Sequence, residues 1–179
     1  MEMSDLIGWK AEWTIYKWRD PDGRWAKMLK AGASIAEVLA AGAELIGVEQ
    51  FIGNVALNEG LQYLIEVICG IGSTTKWDAS NAYIGVGDSS TGEDASQTGL
   101  QAVTNKFWQA MDGTYPQRSG QVGEWRATFA DGDAEFAWEE FTVVNSSDDD
   151  GKNLNRKVVS KGTKGSGEAW TASVKITFS

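Results

Sequence analysis

WTASVKITFS, residues 170–179, alternates without interruption: Trp170, Ala172, Val174, Ile176 and Phe178 fall on one side, and Thr171, Ser173, Lys175, Thr177 and Ser179 on the other. A period of two is the mark of a strand with one buried face, so the segment predicts a core side and a wet side. Each large side chain buried there contributes about 1.5–3 kcal/mol. The strand is therefore a principal stabiliser, and its apolar face needs a second layer opposite it.

Upstream segments repeat the signal. Glu124 to Ala130 alternates, with Trp125, Ala127 and Phe129 against Glu124, Arg126 and Thr128. KFWQAM, residues 106–111, runs into the turn residues Asp112-Gly113-Thr114-Tyr115-Pro116, which makes it the expected hairpin partner of 124–130. In AEFAWEEFTVVN, Phe136 and Trp138 share one parity while Phe141 and Val143 take the other, so a bulge or kink is expected near Glu139-Glu140. LNRKVVS reads as a further strand after the polar turn SSDDDGKN.

Helical signals are few. Ser34 and Glu37 form a capping box ahead of IAEVLAA, with Gly42 as the stop. Leu57, Leu61, Leu64, Ile65 and Ile68 fall on one helical stripe ahead of Gly70, which predicts a helix over about 55–69. AEWTIYKW, residues 11–18, reads as a strand ended by the turn Asp20-Pro21-Asp22-Gly23, and GVEQFIGNVAL is extended as far as about Asn54. The fold class is thus mainly β: an antiparallel β-sandwich or jelly roll over residues 51–179, preceded by one amphipathic helix. Residues 1–50 (strand, turn, short helix) read as an N-terminal arm or extension, because their apolar groups have no obvious partner in such a sandwich.

AYIGVGDSS, residues 82–90, is the stretch that most suggests chemistry. Gly87-Asp88-Ser89 resembles the nucleophile block of GDS-type esterases, but a serine hydroxyl needs a base and the chain contains no histidine. No S-x-x-K follows to supply a lysine instead. A dinucleotide loop would need a third glycine where Ser90 stands, and a helix after it, whereas TGEDASQTG has no apolar period. The better reading is a strand whose Ala82, Ile84 and Val86 share one face, and whose Gly85 and Gly87 admit close neighbours on the other.

Acidic clusters at Asp148-Asp149-Asp150 and Asp131-Gly132-Asp133-x-Glu135 lack the EF-hand order and read as turns. Glu139 or Glu140 with Glu124 or Glu135 would supply glycosidase carboxylates only at the right separation in space. No catalytic, metal or cofactor residue is assigned, and no enzymatic activity is expected. The net charge of −9 argues against nucleic acid, since Lys and Arg form no cluster to displace phosphate counterions. Neither a leader nor an apolar run long enough to span a membrane is visible, so no membrane partner is expected. Cys69, the only cysteine, sits among apolar residues and reads as a buried filler.

Nine tryptophans are the outlier of the composition. Trp125, Trp138 and Trp170 lie on apolar strand faces and are assigned to the core. Trp9, Trp13, Tyr16, Trp18, Trp25 and Trp77 fall outside the clear sandwich strands, and are assigned to an interface, where rigid aromatic area is favoured.

GNVALNEGLQYLIEVICG, NAYIGVGDSSTGEDASQTGLQ, TYPQ, WRATFADGDAEFAWEEF and LNRKV, in that order over residues 53–179, resemble a family of small structural proteins encoded among the virion genes of tailed bacteriophages. The resemblance implies a particle component located in the virion, with other virion proteins (the major capsid protein or tail proteins) as partners. Together with the aromatic excess it points to a homo-oligomeric capsid decoration protein, a trimer being one arrangement, with GWKAEWTIYKWRDPDGRW clasping a neighbour. The alternative is a tail-fibre or baseplate module that binds host-surface carbohydrate through exposed tryptophans.

Overall fold

The computed structural model describes residues 8–178. In chain order, the elements among them are β1 (Trp9–Arg19), α1 (Arg24–Lys30), α2 (Ile35–Ala40), β2 (Glu44–Ile52), β3 (Val55–Ala56), α3 (Asn58–Cys69), β4 (Tyr83–Gly87), β5 (Lys106–Ala110), β6 (Gln117–Ser119), β7 (Val122–Phe129), β8 (Glu140–Val144), β9 (Asn155–Val158) and β10 (Glu168–Phe178). The strands form two five-stranded antiparallel sheets, ordered β2-β1-β10-β7-β6 and β3-β9-β8-β4-β5. The expected β-sandwich is what the chain adopts.

β10 carries the alternation of residues 170–178 into the middle of the first sheet. Its Trp170, Ala172, Val174 and Ile176 are buried, opposite Phe129, Ala127 and Trp125 of β7 on one side and Ile15, Trp13 and Ala11 of β1 on the other. The second sheet answers with Ile84 and Val86 of β4 beside Val143 and Phe141 of β8. Trp138 fills the space between the layers, edge-on to Phe129 at 4.6 Å and to Trp170 at 4.9 Å. Regular structure breaks over residues 138–139, where the parity of the apolar residues changes as the sequence predicts.

Residues 9–52 are not an arm. β1 pairs with β10 over eleven residues, from Trp9 opposite Phe178 to Arg19 opposite Glu168, and β2 closes the sheet on its other side. The physical reason is that the apolar face of β10 has two lateral neighbours to satisfy. β7 supplies one, and Ala11, Trp13 and Ile15 supply the other.

Two further expectations change. β5 is not the hairpin partner of β7: it pairs with β4 in the opposite sheet, so Met111 to Pro116 carries the chain between the two sheets. The wet face of β10 is only partly wet, for Thr171 and Ser173 are buried and Lys175 is exposed. What covers that end is α1 and α2, which pack Ala26, Leu29 and Val38 over Trp18 and Ala169 as a second small core.

α1 has no recognisable periodic run. Its first turn is held from outside: the buried Asp20 carboxylate accepts from the amides of Trp25 and Ala26 at 3.0 and 2.8 Å. α2 carries the expected capping box, in which Ser34 accepts from the Glu37 amide while the Glu37 carboxylate accepts from the Ser34 amide. The Ser34 amide and then its hydroxyl hold the Glu37 carboxyl below its ordinary range. α3 begins three residues later than the approximate start expected and ends at Gly70, which adopts the left-handed conformation that suits glycine. Among the described residues no helix is long and apolar enough to cross a membrane.

Candidate binding surfaces

The six residues assigned to an interface do not share one surface. Trp13 and Trp18 are buried, the first stacked on Phe51 with rings 5.9 Å apart, the second donating through Nε1 to Thr171 Oγ1 at 3.1 Å. Trp77 is buried too, with Nε1 donating to the Lys152 carbonyl at 2.9 Å. Trp25 is half-buried against the small core under the Arg24 guanidinium. Trp13, Trp18 and Trp77 thus belong to the chain's own interior, and Trp25 packs against the small core that α1 and α2 add. Trp9 and Tyr16 are half-buried, and each lines a concavity.

The first concavity is apolar. α3 rests one side on the sandwich through Leu57, Tyr63 and Leu64, with Gly60 lying against the backbone of Asn153 and Leu154. Glu59, in its first turn, accepts from the Asn153 backbone and side-chain amides at 2.9 and 3.1 Å. The apolar stripe seen in the sequence therefore divides: Leu57 and Leu64 pack inward, while Leu61, Ile65 and Ile68 stand in solvent, Ile68 being 70% exposed. With Leu64, Trp9 and Phe178 they line a groove of about 570 Å³. Ile71 continues the apolar surface past the helix end. Cys69, expected to be buried, is exposed at the end of α3 because the solvent side of the helix passes through that position.

The second concavity is polar and crosses the outer face of the first sheet. Its floor is Glu12 and Thr14 of β1, Gln50 of β2, Glu124 of β7, and Ser173 and Lys175 of β10, and its volume is about 490 Å³. Tyr16 and Tyr115 stand at its sides. A neighbouring hollow of about 270 Å³ shares Glu124 and Lys175 and extends it along β6.

A buried ion pair sets one wall of this trough. Arg126 donates through Nε to Asp112 at 2.8 Å and through Nη2 to the carbonyls of Leu29, in the last turn of α1, and Ala33, which follows the helix. Asp112 also accepts from the Thr128 amide and hydroxyl. Burial pushes the Asp112 carboxyl upward, against the opposing pull of Arg126 and Thr128. The same guanidinium lies 4.3 Å from the centre of the Tyr115 ring, fixing its place, while Tyr16 is fixed by stacking on Trp18.

The other candidate groups serve as structure. Glu140 accepts from the amides of Gln101 and Ala102 and pairs with Arg156, so it cannot partner Glu124, which lies on the opposite sheet and accepts from Ser173. Asp131 caps the Gly167 amide, and that bond holds its carboxyl below its ordinary range. Asp133 accepts from the Ala130 amide, and Asp148 from the Ser146 hydroxyl. The Ser89 hydroxyl meets Thr91. A Cβ at Gly85 would lie 2.8 Å from Thr142 Cγ2, and one at Gly87 2.5 Å from Glu140 Oε1, so both glycines are there for close packing, as the sequence suggests.

Both concavities escape a linear reading because their linings come from distant segments. The one local signal was the continuation of the α3 stripe to more apolar positions than one buried face needs. Comparison with known proteins finds no matching family model, no matching curated protein and no matching solved structure.

Proposed function

We propose that this protein is a structural component of a bacteriophage virion, a capsid decoration subunit that holds neighbouring proteins together, and that copies of it join through α3. The observation that carries this reading is the exposed ridge Leu61, Ile65 and Ile68 beside the groove it shares with Trp9 and Phe178. The largest contiguous apolar patch on a single soluble chain is often functional, and one rimmed by polar residues suits a protein partner. A ridge flanked by its own groove is self-complementary, since each copy can seat its ridge in the other's groove about a two-fold axis. The patch carries no charge of its own, so the net charge of −9 opposes association there only at long range.

Support for the virion setting is the sequence resemblance over residues 53–179, joined to a fold whose conspicuous carboxylates and Ser89 are engaged in structural bonds. The test is light scattering of the purified chain, followed by sedimentation with emptied capsid shells. Ile65→Asp with Ile68→Asp is expected to yield a folded monomer that stays in the supernatant. An oligomer and shell attachment both unchanged by these substitutions would remove α3 as the joining surface, and a wild-type chain that ignores shells would remove the decoration role.

A further inference from the structure

We infer that the polar trough on the outer face of the first sheet is a binding site for a neutral oligosaccharide, independent of the assembly role proposed for α3. Three observations lead there. First, its charges are balanced internally: Glu12 pairs with Lys10 at 2.9 Å, Glu124 lies 3.8 Å from Lys175 and accepts from Ser173, and Arg126 is spent on Asp112. Within the trough over β1, β2, β7 and β10 neither an anion nor a cation finds an uncompensated partner, which favours a ligand without charge there; in the adjoining hollow Arg118 donates to the Gly120 carbonyl.

Second, what the floor offers is hydrogen bonding of both senses. The Gln50 amide and the Thr14 hydroxyl each donate and accept, as does the Tyr16 hydroxyl at the side, which matches vicinal hydroxyls that do the same. The rings of Tyr16 and Tyr115, each with one face taken by Trp18 or Arg126, border the trough and add apolar surface that a sugar's C–H groups can meet. Third, the site is long and built in advance. The hollow over β6 continues it past Glu124 and Lys175, giving room for successive residues of a chain-like ligand. Both tyrosines are held by buried neighbours, Trp18 and Arg126, so little ordering cost remains for binding. Carbohydrate recognition thus falls to tyrosines in a groove, whereas five of the nine tryptophans lie in the interior.

The test is an array of neutral and anionic glycans probed with the full chain. Binding is expected to be confined to neutral oligosaccharides. Gln50→Ala, which changes an exposed side chain on an edge strand, is expected to weaken it at least tenfold, as is Tyr16→Ala. The Ile65→Asp, Ile68→Asp protein should bind the same glycans undiminished, which separates this site from the assembly surface. Silence across all neutral glycans, selection of anionic ones, or binding untouched by both Gln50→Ala and Tyr16→Ala would overturn the inference.

Discussion

Arg156 and Glu140 meet at 2.7 Å with neither side chain exposed to solvent, on the outer face of the second sheet. They are buried because residues 88–105 lie across that face: Glu140 accepts from the Gln101 and Ala102 amides, and Arg156 donates to the Thr91 carbonyl and to Gln97. Arg126 and Asp112 do the same work on the first sheet for α1 and the Met111–Pro116 turn. Each sheet thus has one apolar face in the shared core and, on part of its other face, a buried ion pair under covering chain. Through these bonds each pair ties irregular chain to its sheet.

Removing one member of the Glu140–Arg156 pair leaves the other buried without compensation. Glu140→Ala is expected to cost about 3–5 kcal/mol in urea unfolding. Adding Arg156→Met should recover part of that loss, though not all, because the Gln101 and Ala102 amides stay unpaired. A single substitution costing under about 1 kcal/mol, the scale of an exposed pair, would mean that the loop does not depend on this contact.

On the first sheet, Asp112→Asn keeps the shape but weakens the hold on Arg126, and with it the C-terminal end of α1. Amide exchange should quicken at Gly32 and Ala33 and in the Gly113–Tyr115 turn, while the amides of Val86 and Val143 in the opposite sheet keep their protection. Uniform loss of protection everywhere would show that α1 unfolds only with the whole domain.

The sandwich itself was legible from the sequence because period two is a local signal, and β4, β7 and β10 each display it. What was not legible is how strands pair across distance. The turn at 112–116 suits a hairpin, yet β5 crosses to β4, where Phe107 sits opposite Val86 and Trp108 opposite Gly85. Trp13 and Trp18 looked spare only because their partners, Val174 and Ala169, stand at the far end of the chain. The trough was hidden for the same reason, its floor being assembled from β1, β2, β7 and β10.

Gly60 separates propensity from packing. In a helix interior alanine is favoured over glycine by about 1 kcal/mol. A Cβ at Gly60, however, would stand 2.5 Å from the Asn153 carbonyl oxygen and 2.6 Å from Leu154 Cα, and backbone cannot swing aside. Gly60→Ala should therefore destabilise the protein and loosen α3, lowering the thermal midpoint. A higher midpoint would place α3 farther from the β8–β9 connection than these distances state.

Glu49 tests the acid limb of stability. Burial raises its carboxyl, but Lys17 and Lys161 outweigh that and leave it below the ordinary value of 4.5. A carboxyl lowered in the folded state contributes stability above its unfolded value and loses it as pH falls through the folded one. Glu49→Gln should accordingly lower the urea midpoint near neutrality and flatten its fall between about pH 5 and pH 3. A variant whose midpoint falls as steeply with acid as the parent's would show that the lysines do not hold this group. The effect is expected to be small, since Glu49 is partly exposed and the pair is screened.

Deleting residues 1–19 decides whether the N-terminal region belongs to the sandwich. The deletion removes β1 from between β2 and β10, taking with it the eleven-residue ladder to β10 and the buried Ala11, Trp13, Ile15 and Trp18. Burial of each of the three large side chains is worth about 1.5–3 kcal/mol, and the loss also bares the apolar flank of β10. Domains of this kind have a total margin of about 5–15 kcal/mol, so the truncated chain should lose near-ultraviolet circular dichroism and cooperative urea unfolding. A truncated protein that still unfolds cooperatively would mean that β10 and β7 close the core without β1, and would restore the arm. If the expectation holds, the proposed attachment to a shell cannot be mapped by trimming this end, because a chain that fails to fold fails to attach for the wrong reason. Exposed substitutions such as Ile68→Asp, at a side chain 70% exposed and outside every strand, are then the informative probes.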